Sequence, residues 1–294
     1  MRNNTGLAKA GDLLANLDPP VPKPEQPQVS APVLKSFERL SHQIERREVS
    51  NVIQLPLWFE PERGTPNSFL RSALFAAIES KDRKYIQGVT LASSKDVSIK
   101  FTGQQLNQED LSVWETLVHL ARQHPLGNMC QFTAHALLKT MGLNTGGAEH
   151  RRLHTTITRM IACAVEIKHD GFIYIGSLIE DAGAIDDQPT KHYALRLNPN
   201  LIRLYGETQW TALNWEQRKL LRRKSLAQAL HAYYSTHARP VPIKLATLRA
   251  FTGSRNTQLA DFKRKVHNAL TELKEIGFLA DFHIDRDLVT VARA

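Results

Sequence analysis

Residues 218–265 read RKLLRRKSLAQALHAYYSTHARPVPIKLATLRAFTGSRNTQLADFKRK. Leu226, Leu230 and Tyr233 recur at helical spacing, which predicts a helix over about 222–236 with those side chains inward. Pro240 and Pro242 end it, since proline brings no amide donor and crowds the preceding turn. A second helix is expected from Ile243 through Leu245 and Leu248 to Phe251, closed by Gly253. A third runs from about Thr257 to Ile276, with Leu259, Phe262, Val266, Leu270 and Leu273 inward. GFLADFHIDRDLVTVAR then gives two strands joined at Asp285-Arg286-Asp287. Three helices followed by a hairpin match the winged-helix plan. The quoted stretch also carries twelve Lys/Arg and one acid, Asp261, for a net +11, whereas the whole 294-residue chain is only +9. Charge this localised is the footprint of a polyanion partner, and with a helix-turn-helix it points to double-stranded DNA.

A similar order of elements appears upstream. Asn107 or Gln108 opens a helix whose Leu111, Trp114, Leu117, Val118 and Ala121 share one face, ending before His124-Pro125. Thr133 caps a second helix carrying Leu137, Leu138 and Met141, stopped at Gly142. After Asn144-Thr145-Gly146-Gly147 a third is expected, with Leu153, Ile157, Met160, Ile161 and Ala164 inward. VEIKHDGFIYIG reads as a hairpin through its His-Asp-Gly turn. Before this unit, YIQGVTL (85–91) and VSIKF (97–101) form a further hairpin. Between the two units lie a strand (HYALRL), a short helix from Pro199 and another capped by Asn214.

Residues 19–32 hold six of the fourteen prolines and read as an extended linker. A short amphipathic helix is expected after it, through Leu34, Phe37, Leu40 and Ile44. The expected fold class is α+β, with two winged-helix domains in tandem behind a flexible Pro-rich N-terminal arm. The expected boundaries are 1–50 for the arm, 51–205 for the first domain and 206–294 for the second, strongly basic one.

A groove-reading helix buries one face on its own domain and offers donors on the other. In the second unit that leaves Thr257, Asp261, Arg264 and Asn268 outward, flanked by Lys263 and Lys265, with Ser254, Arg255 and Asn256 at the start. Arg264 suits guanine, and Asn268 or Asn256 suits adenine. The lysines, Arg255 and part of Arg222-Arg223-Lys224 suit phosphates. In the first unit Arg151, Arg152, Thr155 and Arg159 face outward by the same construction. The hairpin turns at Lys168 to Gly171 and at Arg286 would be wings on the phosphate backbone.

Other chemistry finds little support. Cys130 and Cys163 lack zinc spacing and read as buried thiols in apolar helical contexts within a reducing compartment. His150 and His154 stand four apart without a third ligand, so neither metal nor cofactor is expected. Tyr233-Tyr234 resembles a DNA-nicking nucleophile pair, but no HxH motif accompanies it and no GxxxxGK[ST] exists. An enzyme is therefore not expected. No apolar run reaches the roughly 20 residues of a membrane span and MRNNTGLAKAGDLL has no apolar signal core, so a cytoplasmic location is expected.

QLPLWFEPERGTPNSFLRSALF, WETLVHLARQHPLG and SLAQALHAYYSTHARPVPIKLATLRAFTGS make the chain resemble the TrfA-type replication initiators of broad-host-range IncP plasmids, over residues 50 to 294. The resemblance implies binding to double-stranded iteron repeats at a plasmid origin, opening of the adjacent AT-rich duplex, and contact with single-stranded origin DNA. It also implies recruitment of the host replicative helicase and the polymerase sliding clamp, association with plasmid or nucleoid, and dimers that act as monomers. Gln54, Leu55, Leu57 and Trp58 resemble the Gln-Leu-Ser/Asp-Leu-Phe peptide of clamp-binding proteins, with Pro56 and Trp58 departing from it. A winged-helix transcription repressor is the alternative reading.

Overall fold

A computed structural model describes residues 55–123, 129–169, 171–187, 190–206 and 208–294. The arm, its proline linker and Gln54 lie outside the described residues, and Ile53–Ala294 form one unit.

The chain enters through β1 (Glu62–Pro66), α1 (Asn67–Leu70), β2 (Phe75–Ala76), β3 (Tyr85–Leu91), β4 (Val97–Gln104) and β5 (Leu106–Asn107). The first helical layer is α2 (Gln108–Ala121), β6 (Met129–Thr133), α3 (Ala134–Thr140) and α4 (Gly147–Ile161). The strands β7 (Ala164–His169), β8 (Phe172–Gly176), β9 (Ile179–Asp187) and β10 (Thr190–Leu197) follow, then a 3-10 turn at Pro199–Tyr205 and β11 (Trp210–Asn214). The second half is α5 (Trp215–Leu220), α6 (Ser225–Ser235), β12 (Ile243–Lys244), α7 (Leu245–Phe251), α8 (Leu259–Glu275), β13 (Leu279–Asp285) and β14 (Leu288–Arg293).

Local chemistry accounts for most boundaries. Asn107 accepts hydrogen bonds from the Glu109 and Asp110 amides while Asp110 reaches back to the Asn107 amide, a closed capping box for α2. Thr133 caps α3 and Asn214 caps α5 with their own side-chain oxygens. Gly253 ends α7 at φ +60, where a Cβ would stand 2.7 Å from that of Ala76, so the second helical layer approaches β2 closely.

The two halves share one topology. In the first, β6 pairs with β10 and β10 with β9; in the second, β12 pairs with β14 and β14 with β13. Each therefore runs helix, strand, helix, helix and hairpin, with β7–β8 inserted before that hairpin in the first half, and the early strand completes a three-stranded antiparallel sheet. Each has its own core, one around Trp114, Leu117, Leu137, Ile157 and Met160, the other around Leu230, Tyr234, Leu248, Phe262, Val266 and Leu270.

Several expectations needed correction. The hairpin at Lys168 to Gly171 is not the one that completes the helical layer. β7 pairs with β4, so β7–β8 and the expected 85–91/97–101 hairpin form one four-stranded sheet, β3-β4-β7-β8. The hairpin that completes the helical layer is β9–β10, whose first strand, IEDAGAIDD, is too polar and glycine-containing to read as a strand from its pattern. Cys130 lies in β6, not a helix, because pairing with Leu195 on β10 holds it extended. Ala164 starts β7 and is exposed, and Leu259 sits on the outer first turn of α8. Tyr234, not Tyr233, is the deeply buried tyrosine of α6. That helix starts at Ser225, three residues late, because Arg223 takes a left-handed φ of +62 that no helix accommodates.

Candidate nucleic-acid interface

α8 buries Phe262, Val266, Ala269, Leu270 and Leu273 and turns its polar face to solvent. Its hydrophobic positions recur at three and four, so the opposite stripe has no core to join. Arg264 is 71% exposed and stands 3.7 Å from the Asp261 carboxylate one turn earlier, an ion pair weak enough to yield to a stronger acceptor. Asn268 is exposed on the same face, and with Lys263 and Arg264 it lines a groove between α8 and the hairpin strand that carries Phe282, His283 and Ile284. Lys263 does not point freely outward: its Nζ donates to the Arg286 carbonyl at 2.8 Å, tying α8 to the hairpin turn. Arg286 occupies that turn at φ +49 with its side chain exposed.

The loop that leads into α8 is held from below. Arg249, which sequence reasoning missed, donates to the carbonyls of Asn256 and Thr257 at 3.4 and 3.1 Å. Its signal was a lone arginine on an otherwise apolar short helix, a pattern that alone does not separate a positioning role from a solvated one. Asn256 accepts from Lys265 Nζ at 2.9 Å, and Arg255 donates to Gln105 on the first half. Seven expected residues, Arg223, Lys224, Ser254, Arg255, Asn256, Lys265 and Asn268, line one cleft of about 460 Å³ against Ala77–Asp82. Lys224 also pairs with Glu272 at 3.2 Å. Arg222 stays exposed but is engaged elsewhere, donating to the Met141 and Gly142 carbonyls, where it braces the junction.

The first half presents less. Arg151, Arg152 and Thr155 are exposed on α4, but Arg152 pairs with Glu149 at 3.2 Å and the Thr155 hydroxyl donates back to the Arg151 carbonyl. Arg159 does not face outward. Its guanidinium donates to buried Asp110 at 2.6 Å and to Gln104, with only 10% of the side chain exposed. Arg83 reaches the other oxygen of Asp110 at 2.5 Å. The carboxylate that caps α2 thus draws Arg159 inward, since a buried anion needs partners on both oxygens. Lys168 pairs with Glu166 at 2.9 Å on the four-stranded sheet.

The residues expected to form a clamp-docking peptide are divided. Leu55 and Trp58 are buried in the first core, while Leu57 and Phe59 are exposed. The Trp58 ring lies against Gly64, Tyr205 and Trp210, and its Nε1 donates to His119 Nδ1 at 2.9 Å. Arg63 also donates to Nδ1, so the His119 proton sits on Nε2, where it meets Glu60 Oε2 at 3.0 Å. Burial and the Arg63 charge push His119 down to about 4, which keeps it neutral and an acceptor for tryptophan. As folded, the segment offers a partner neither Leu55 nor Trp58.

The tyrosines are packing residues. Tyr234 is 1% exposed and Tyr233 stacks among Tyr234, His237 and Phe251, and burial raises both phenols above their ordinary value. His154 Nδ1 lies 3.1 Å from the Tyr193 hydroxyl, and among the described residues no cluster of three metal-ligating side chains occurs. No helix among the described residues is long and apolar enough to cross a membrane.

Residues 29–293 match the profile of the TrfA protein family. The chain belongs to the TrfA family. It is 27% identical to the plasmid replication initiator protein TrfA of Escherichia coli, over 87% of this chain and 68% of that protein. It is also 26% identical to RepFIB replication protein A of Salmonella typhi, over 64% of this chain, and spans 60% of the length of that relative. In fold, the TrfA-family chain is similar to a crystal structure of domains 2 and 3 of RctB, with TM-score 0.52 at 13% identity, covering 78% of this chain and 98% of that one.

Proposed function

We propose that this chain, a plasmid replication initiator by family, binds repeated origin sequences as a tandem winged-helix protein, with α8 in one major groove and α4 in a neighbouring one. The observation that carries the reading is α8: an exposed stripe of Arg264, Lys265 and Asn268, beside a hairpin turn bearing Arg286, on a helix whose other face fills the second core. A helix so placed can offer Arg264 to guanine and Asn268 to adenine while Arg223, Lys224, Arg255 and Lys265 neutralise phosphates. The matching order of elements in the first half supplies the second reading head, at Arg151 and Thr155. Direct repeats then array several copies in one orientation, and strain in the bent duplex favours opening of adjacent AT-rich DNA.

Footprinting on the cognate plasmid origin tests this. Regularly spaced protection over direct repeats, with single-strand reactivity appearing beside them, is the expected result. Protection of a lone operator with no strand opening would leave a repressor and remove the initiator mechanism.

A further inference from the structure

We propose that a cavity between the first helical layer and α5 binds a small monocarboxylate with a short aliphatic body. The cavity, of about 100 Å³, is walled by Val113, Leu138, Met141, Leu153 and Trp215. Arg218 of α5 lines it and is 1% exposed. Its Nε forms an ion pair with a Glu115 carboxylate oxygen 2.7 Å away and donates to the Ser112 hydroxyl at 3.2 Å, and its Nη2 donates to the Gln108 carbonyl and side-chain oxygen, both at 3.2 Å. Its Nη1 has no hydrogen-bond partner among the described residues. A buried guanidinium nitrogen without an acceptor is costly, and an acceptor that arrives through the cavity would recover that cost.

The charge balance points the same way. Of the cavity's lining side chains, five are cationic and two are carboxylates. Those two are engaged: Glu149 with Arg152, and Glu109 with the Ser80 hydroxyl at 2.9 Å. Arg222 and Arg223 stand along the lining, beside Lys219 paired with Glu216 at 2.8 Å, and favour entry of an anion. The planar two-oxygen edge of a carboxylate matches a guanidinium, and its single charge suits one open nitrogen. A phosphate dianion would meet the cationic lining but leave the leucine, methionine and tryptophan walls without an apolar partner. Those walls instead suit four or five carbons. An occupant would bridge α2, α3 and α4 to the helix that leads into the second half.

Isothermal titration of the full chain with isovalerate tests the site, with isoamyl alcohol and inorganic phosphate as comparison ligands. Expected are saturable one-to-one binding of isovalerate, about tenfold or more weakening in Arg218→Lys, and loss in Leu143→Trp, whose indole fills the cavity from its partly buried rim. Circular dichroism and Tm of both variants confirm that they fold. Absence of saturable isovalerate binding by the parent overturns the proposal. So does equal affinity for isoamyl alcohol, tighter binding of phosphate, or undiminished binding by Leu143→Trp.

Discussion

The two halves of this protein repeat one order of helix, strand, helix, helix and hairpin, yet they use their arginines in opposite ways. On α4, Arg159 is drawn into the Asp110 and Arg83 network and Arg152 pairs with Glu149, leaving Arg151 and Thr155 as the outward groups. On α8, Arg264 has only an exposed partner at 3.7 Å, Lys263 holds the hairpin turn, Lys265 the approach loop, and Lys274 pairs with Asp281. The difference teaches that a buried acid within reach of a basic helix takes guanidiniums away from its outward face. Under the proposed function, the second half should dominate affinity and the first should refine it.

The largest effect expected from breaking this contrast is at Asp110. Asp110→Ala removes a fully buried carboxylate that holds Arg83, Arg159 and the Asn107 amide, and should cost about 3–5 kcal/mol in urea unfolding. A loss under about 1 kcal/mol would place the network with ordinary surface pairs and erase the distinction. Next comes Arg264→Ala, which should weaken binding to the repeats by about 1–3 kcal/mol with an unchanged Tm. Arg151→Ala should cost clearly less in the same fluorescence-anisotropy titration, and equal losses would make the two heads equivalent.

The smallest effect concerns the buried histidine of the second half. His231 is fully buried, with Nε2 3.3 Å from the Gln217 side-chain oxygen and its ring against Phe278, and desolvation together with Arg218 and Arg293 pushes it down to about 3. The unfolded chain takes up this proton as pH falls below the ordinary 6.5, while the folded protein does not. Stability from this group is therefore complete above that value and is lost as pH drops toward 3. The loss is about 0.8 kcal/mol at pH 6 and steepens to about 1.4 kcal/mol per pH unit below. His231→Phe should flatten that dependence in thermal melts between pH 7 and 5, and an unchanged slope would assign the acid sensitivity to other groups.

Much of the architecture was legible because it rests on local chemistry. Thr133, Asn107 and Asn214 cap as their side chains dictate, Gly142 and Gly253 stop helices, and the apolar stripe of α8 faces the core as its spacing requires. The joining of β7–β8 to β3–β4 was not legible, since pairing across some sixty residues leaves no periodic trace. Nor was the polar strand β9, whose extended form depends on β10 beside it.

The candidate interface divides in the same manner. Net charge and helical spacing alone located Arg264, Lys265 and Asn268 on an outward face, because periodicity is a property of neighbours in sequence. Only the tertiary structure decided that Arg159 turns inward, that Arg222 braces Met141 and Gly142, that Lys263 ties down the hairpin, and that Trp58 lies beneath His119. Each of those side chains is captured by a partner distant in sequence, and long flexible cations go wherever folding places a carboxylate or an unpaired carbonyl within reach.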